Sequence, residues 1–174
     1  MSTGIEIYLD LARVAHIFSS ILWIGILYYF NFIQAVALAK MEAPARVQFM
    51  LNVQPLALNV FRWAALATVV FGISYIIGIG SEVDGYYESD RFTSIIIGGG
   101  LGIIMAANVW FIIWPNQQKV IAATRATADS GADVPADQPK WGRTALLASR
   151  TNVLLSIPML FFMVAANHLP SLWD

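Results

Sequence analysis

The chain has 174 residues, of which 58% are hydrophobic and 12% are charged, and its mean hydropathy is +0.65. These totals exclude an ordinary soluble domain and predict an integral membrane protein in contact with the lipid bilayer. The formal net charge of -1 leaves no basic face for phosphates, so we expect no nucleic-acid partner. The absence of cysteine excludes disulfides, iron–sulfur clusters and a CxxCH site for haem c.

Residues 14–39 contain no charged side chain and predict the first membrane-spanning helix. At about 1.5 Å per residue this helix would extend about 39 Å, which exceeds the roughly 30 Å hydrocarbon core. Polar side chains on a spanning helix should face protein rather than lipid, so we expect other helices to cover its polar face. At about 100° per residue, that face carries a polar stripe made of His16, Ser20, Trp23, Asn31 and Gln34.

Three further apolar segments predict spans at 63–80, 92–114 and 150–172, with a cytoplasmic linker over 115–149. The helix of the third span is expected to continue past Pro115 into water. Its glycines include a GxxxG spacing, which lets another helix pack closely. The expected fold class is therefore all-α, an integral membrane four-helix bundle in which residues 1–174 form a single membrane domain.

The distribution of basic residues predicts the orientation of this bundle. Lys and Arg number three in residues 40–62 and five in residues 115–150, whereas Arg13 and Arg91 alone lie on the other side. Because cytoplasmic connections carry the excess of positive charge, both termini and the acidic loop at 81–91 are predicted to lie outside. We expect a multi-pass protein of the bacterial inner membrane, with no cleaved signal peptide ahead of the first span.

Two histidines, His16 and His168, are the only ones in the chain, and they fall near the outer ends of the antiparallel first and fourth spans. One imidazole from each side is what axial ligation of a b-type haem requires, so the sequence predicts haem iron between them. Two alternatives stay open. The histidines would hold copper or another metal, or His16 would hydrogen-bond Ser20 or a backbone carbonyl while His168 lies in the interface.

Three other polar residues are candidate substrate contacts. Arg150 would bind an anion at the inner mouth of the bundle, because its guanidinium presents a fork of donors, or it would serve as a topology anchor. Asn108 and Asn152 would line a substrate pocket or form interhelical hydrogen bonds. The predicted spans contain no acid, so the sequence assigns no catalytic residue.

Several segments carry a family resemblance. They are NVW at 108–110, WPNQ at 114–117, SRTN at 149–152, SIPMLFFM at 156–163, and His16 with WIG at 23–25. Together they resemble the membrane domain of bacterial urate hydroxylases, the urate oxidase N-terminal domain family. The resemblance implies an inner-membrane protein of urate oxidation, in which water hydroxylates the purine ring and electrons leave through a cytochrome c domain. It also makes His16, His168 and Arg150 candidate functional positions.

The chain differs from full-length members of that family, which have more membrane helices and end in a haem c domain. We therefore expect a short form that lacks this domain and passes electrons to a separate cytochrome c. Two functions stay open: a urate hydroxylase-like redox protein with b-type haem, and a non-catalytic accessory subunit of a larger respiratory or photosynthetic membrane complex. A small transporter is disfavoured because the spans contain no acid.

Overall fold

The computed structural model describes residues 3–169. It has four long helices, which are α1 (Thr3–Lys40), α2 (Ala43–Glu82), α3 (Asp90–Ser130) and α4 (Gln138–His168). All four are long and apolar enough to cross a membrane, and no strand occurs between residues 3 and 169. The predicted all-α class is confirmed, and the four predicted spans each lie within one of these four helices. The predicted end of the fourth span, at residue 172, lies outside the described residues.

The helices extend well beyond the apolar segments that predict them. The third helix continues through Pro115 to Ser130, as expected, so only residues 131–137 separate it from α4. The segment predicted as a linker is thus largely helical. The physical reason is composition: alanine, glutamine, lysine and arginine after Pro115 favour helix in water, although they do not register in hydropathy.

Two helices contain π-helical segments, in which the backbone makes wider turns. The first is Tyr29–Gln34 within α1, and the second is Val109–Ile113 within α3. The second helix is interrupted only by a turn at Val53, so the predicted connection before the second span is also helical.

Side-chain contacts show that neighbouring helices run antiparallel. Between α1 and α2, Tyr8 contacts Ser74 and His16 contacts Thr68. Between α1 and α4, Tyr28 contacts Ser156 and Asn31 contacts Ser149. In both pairs the partner's residue number falls as the number along α1 rises. The closest packing is that of α1 on α2 and of α3 on α4. We call the end of the bundle with residues 83–89 the outer end, and the end with residues 131–137 the inner end, after the predicted orientation.

The polar stripe of α1 faces the interior, as predicted. Trp23 is buried, Asn31 donates to Ser149 Oγ at 2.8 Å, and Gln34 is buried near the inner end. The predicted close packing is present at one glycine of the GxxxG spacing, since a Cβ on Gly98 would lie 3.1 Å from the carbonyl oxygen of Met159 on α4, whereas a Cβ on Gly102 would have nothing within 4 Å. Gly98 therefore lets the two backbones approach each other.

The outward faces of the helices are apolar. Large hydrophobic side chains such as Phe18, Leu56, Phe111 and Leu154 are exposed on α1, α2, α3 and α4 respectively. A soluble protein rarely exposes so much contiguous apolar surface. This surface is consistent with a multi-pass membrane protein.

Candidate functional site

His16 lies at the outer end and packs on α2. Its Nδ1 is 2.8 Å from the carbonyl oxygen of Thr68. A carbonyl oxygen only accepts, so Nδ1 carries a proton and donates it to this carbonyl. The ring lies over Gly72, where a Cβ would be 2.9 Å from ring atoms of His16. Metal-ligating histidines are commonly oriented by such a bond from the second ring nitrogen.

His168 lies on the last turn of α4, where it is exposed. Tyr28 contacts Ser156 across the α1–α4 interface. His16 lies twelve residues before Tyr28 on α1, and His168 lies twelve residues after Ser156 on α4. Because the two helices are antiparallel, both steps lead toward the outer end. The two histidines are thus at one level along the bundle, but His16 faces α2.

These donors fit a b-type haem in part. The ring of His16 is oriented by the bond from its Nδ1 to Thr68, and the imidazole of His168 is accessible at the same level. Within residues 3–169, no group of three His, Cys, Asp or Glu side chains is placed to hold a metal ion. Haem ligation by His16 and His168 stays a prediction.

Asn108 and Asn152 join α3 to α4. Asn108 Nδ2 donates to Asn152 Oδ1 at 2.9 Å, and Asn152 Nδ2 donates to the carbonyl oxygen of Met105 at 2.9 Å. Asn152 is fully buried, whereas Arg150 is exposed on α4. The structure thus brings the two asparagines together as an interhelical clamp and leaves Arg150 apart from them. Their roles as substrate contacts stay predictions.

The four helices line a partly open cavity of about 220 Å³ near the inner end. We call it the inner pocket. This volume is below the roughly 300–1,000 Å³ of pockets for drug-sized ligands, so it suits a smaller molecule. Its lining carries no charged side chain and consists of Phe30, Asn31, Gln34, Ala35, Leu38, Met50, Gln54, Leu58, Ile113, Gln117, Val120, Gly142, Ala145, Leu146 and Ser149.

Three amide oxygens in this lining have no hydrogen-bond partner. They are Asn31 Oδ1, Gln34 Oε1 and Gln54 Oε1, and all three atoms are buried. Gln34 is only 8% exposed and Gln54 only 5%. The other end of the Gln54 amide is fixed, since its Nε2 donates to Gln117 Oε1 at 2.7 Å. A buried acceptor without a partner costs about 1–3 kcal/mol, so a ligand that donates N–H groups here would recover that free energy.

Both π-helical segments contribute to the inner pocket. Tyr29–Gln34 supplies Phe30, Asn31 and Gln34, and Val109–Ile113 supplies Ile113. A π turn adds a residue to the helix and so changes which side chains face the neighbouring helices. Such turns are frequent at functional sites.

The sequence identified only part of this pocket. Asn31 and Gln34 belong to the predicted polar stripe, but Gln54 and Gln117 lie in segments predicted as connections. The signal that would have found them is their position: each is a glutamine just beyond the inner end of an apolar segment. In an antiparallel bundle, those ends meet Asn31 and Gln34 at one depth.

Comparison with known proteins bears on this site. Residues 64–174 match the model of a protein family described as Urate oxidase N-terminal. The match covers more than half of the chain, including α3 and α4 with their candidate residues, and it leaves His16 outside. The chain matches no curated protein and no solved structure.

Proposed function

Because the chain belongs to the urate oxidase N-terminal domain family, we propose that it is a multi-pass protein of the bacterial inner membrane that binds urate for oxidation. The inner pocket is the binding site. The observation that carries this proposal is the pair of buried amide oxygens of Gln34 and Gln54, which lack hydrogen-bond partners.

The chemistry of a purine suits the inner pocket. Urate is a compact planar molecule whose ring N–H groups donate hydrogen bonds at its edge. The oxygens of Asn31, Gln34 and Gln54 would accept these bonds, and Phe30 and Leu58 supply apolar walls for the faces of the ring. Binding energy then comes from hydrogen bonds to buried oxygens, where each bond is stronger than in solution.

The reaction proposed from the family requires an electron acceptor. Adding one oxygen from water to the purine ring releases two electrons and two protons. His16 and His168 would hold a b-type haem at the outer end, and this group would supply the one-electron redox chemistry for transfer to a cytochrome c. At about 1.5 Å per residue, His16 and Gln34 are about 27 Å apart along α1, so transfer between the sites requires an intermediate carrier. Trp23 and Tyr28 are aromatic side chains on α1 between the two sites.

We expect the detergent-purified protein to show the reduced α-band of a six-coordinate b-type haem. His16→Ala and His168→Ala should each lose or alter this band. Gly72→Ala should alter it as well, because the added Cβ would displace the His16 ring, whereas the control Gly100→Ala should not, since a Cβ on Gly100 has nothing within 4 Å. Absorbance spectra of the oxidised, dithionite-reduced and urate-treated proteins measure these effects.

A colourless protein from haem-replete cells, with all four variants folded, would contradict the haem proposal. In that case the second candidate function, a non-catalytic accessory subunit of a larger membrane complex, would be favoured. One observation supports that candidate: Gly100 on α3 is exposed and open to the close approach of another helix.

A further inference from the structure

Two arginines meet at the outer end of the bundle. Arg13 of α1 donates from Nη2 to the hydroxyl oxygen of Tyr75 on α2, and its guanidinium carbon lies 4.9 Å from the centre of the Tyr75 ring. Arg91 of α3 donates from Nη2 to the same hydroxyl oxygen at 3.4 Å. Three helices thus bring two positive charges to one neutral phenol.

No carboxylate in the described part of the chain pairs with either guanidinium. Both guanidiniums donate to the hydroxyl of Tyr75, and that of Arg91 also lies over the ring of Tyr86. Two like charges side by side repel each other, and the repulsion is stronger at the edge of an apolar bundle than in bulk water. A bound anion would remove this repulsion.

Two polar groups at this end of the bundle lack hydrogen-bond partners among residues 3–169. Arg91 Nε and the hydroxyl of Tyr86 are both buried without a hydrogen bond, and Tyr86 is only 4% exposed. Burial raises the pKa of Tyr86 above its ordinary value, against the opposite effect of the Arg91 charge. The phenol therefore keeps its proton and can donate.

The geometry points to a site for a phosphate group, formed by Arg13, Arg91 and Tyr86. The free groups are donors from two guanidiniums and one hydroxyl, and they belong to three separate segments. A tetrahedral oxyanion presents oxygens in several directions and accepts from all of them, whereas a planar carboxylate suits a single fork. Leu11 and Val14, exposed on the same helix as Arg13, would contact the acyl chain if the phosphate belongs to a phospholipid.

Native mass spectrometry of the full chain in detergent tests this site. The probes are phosphatidylglycerol, phosphatidylcholine and inorganic phosphate. We expect the wild type to retain phosphatidylglycerol. The double variant Arg13→Gln/Arg91→Gln should retain at least about tenfold less of it, because hydrogen bonds from a charged donor are stronger than those between neutral groups. Arg143→Gln, which removes an exposed arginine of α4, is the matched control and should bind like the wild type.

Tyr86→Phe distinguishes specific binding of the phosphate group from nonspecific attraction between the anion and the two arginines. It leaves both arginines in place and removes one donor, so retention of phosphatidylglycerol should fall several-fold. Tyr87→Phe, at an exposed neighbour, should have no effect.

The competition with inorganic phosphate identifies the source of the phosphate group. If inorganic phosphate binds the wild type as tightly as the lipids do and displaces either of them, the natural ligand is a soluble phosphate. Equal phosphatidylglycerol and phosphate binding by the wild type and the double variant would overturn the proposal. Arg13 is exposed, so Arg13→Gln alone provides a folded variant for the same comparison.

Discussion

Replacing both Gln34 and Gln54 with leucine should weaken urate binding at least about 100-fold, because two acceptors at about tenfold each would be lost. Leucine keeps much of the side-chain volume, so the walls of the inner pocket stay in place. Titration of urate into the detergent-purified protein, followed by intrinsic tryptophan fluorescence or calorimetry, measures the loss. Gln48→Leu, at an exposed position of α2 outside the inner pocket, is the control.

Gln34→Leu alone should leave the protein no less stable. Gln34 has a buried oxygen without a partner, and such a group costs about 1–3 kcal/mol. Gln34→Leu removes that cost, so the thermal midpoint without urate should stay level or rise while affinity falls. A role in packing alone predicts the opposite sign, with lower stability. Unchanged urate affinity in the double variant would show that the inner pocket is not the binding site.

The ligand offers an independent control. A purine in which a methyl group replaces every ring N–H proton, such as 1,3,7-trimethylxanthine, keeps the planar shape but has no N–H to donate. It should bind the wild type no better than urate binds the double variant. Binding of trimethylxanthine at the affinity of urate would mean that shape, and not the amide oxygens, selects the ligand.

Asn152→Leu should lower the free energy of unfolding by about 2–3 kcal/mol. The change removes the hydrogen bonds to Asn108 and to the carbonyl of Met105 and leaves buried groups without partners. Single interhelical hydrogen bonds in membranes average about 0.6 kcal/mol and reach about 1.7, so two bonds and the unpaired groups together give this magnitude. Size-exclusion profiles after heating measure the loss.

A matched control for Asn152 lies on α3. Asn116 Nδ2 bonds the carbonyl of Ile112 within its own helix, so Asn116→Leu should change stability by less than about 0.5 kcal/mol. Asn108→Ala and Asn152→Ala break one shared bond, and their combined effect should be smaller than the sum of the single effects. Full additivity, or an Asn152 effect no larger than that of Asn116, would contradict the clamp.

The spans were predictable because hydropathy and charge directly determine which segments enter an apolar phase. The polar face of α1 was also predictable, since the helical repeat alone places Trp23 and Gln34 on one side. The partner of His16 was not: the repeat gives the direction of the ring, but only the packing of α2 on α1 brings Thr68 and Gly72 against it. The hydrogen bond between Asn108 and Asn152 was likewise not predictable, because it depends on the distance between two side chains on different helices.

The inner pocket was harder to predict than the spans. Gln54 and Gln117 lie where the chain leaves its most apolar segments, and hydropathy alone does not show that the helices continue there. The π turns that place Phe30 and Ile113 in the lining have no composition signal, because they arise from packing between helices. That the amide oxygens of Gln34 and Gln54 lack hydrogen-bond partners can be seen only when the positions of all neighbouring side chains are known.

The most direct test of the proposed function is a structure of the protein determined at saturating urate by cryo-electron microscopy. We predict planar density in the inner pocket, with ring nitrogens within about 3 Å of the amide oxygens of Gln34 and Gln54. Density for urate at the outer end beside His16, or a pocket without density at saturating urate, would contradict the account.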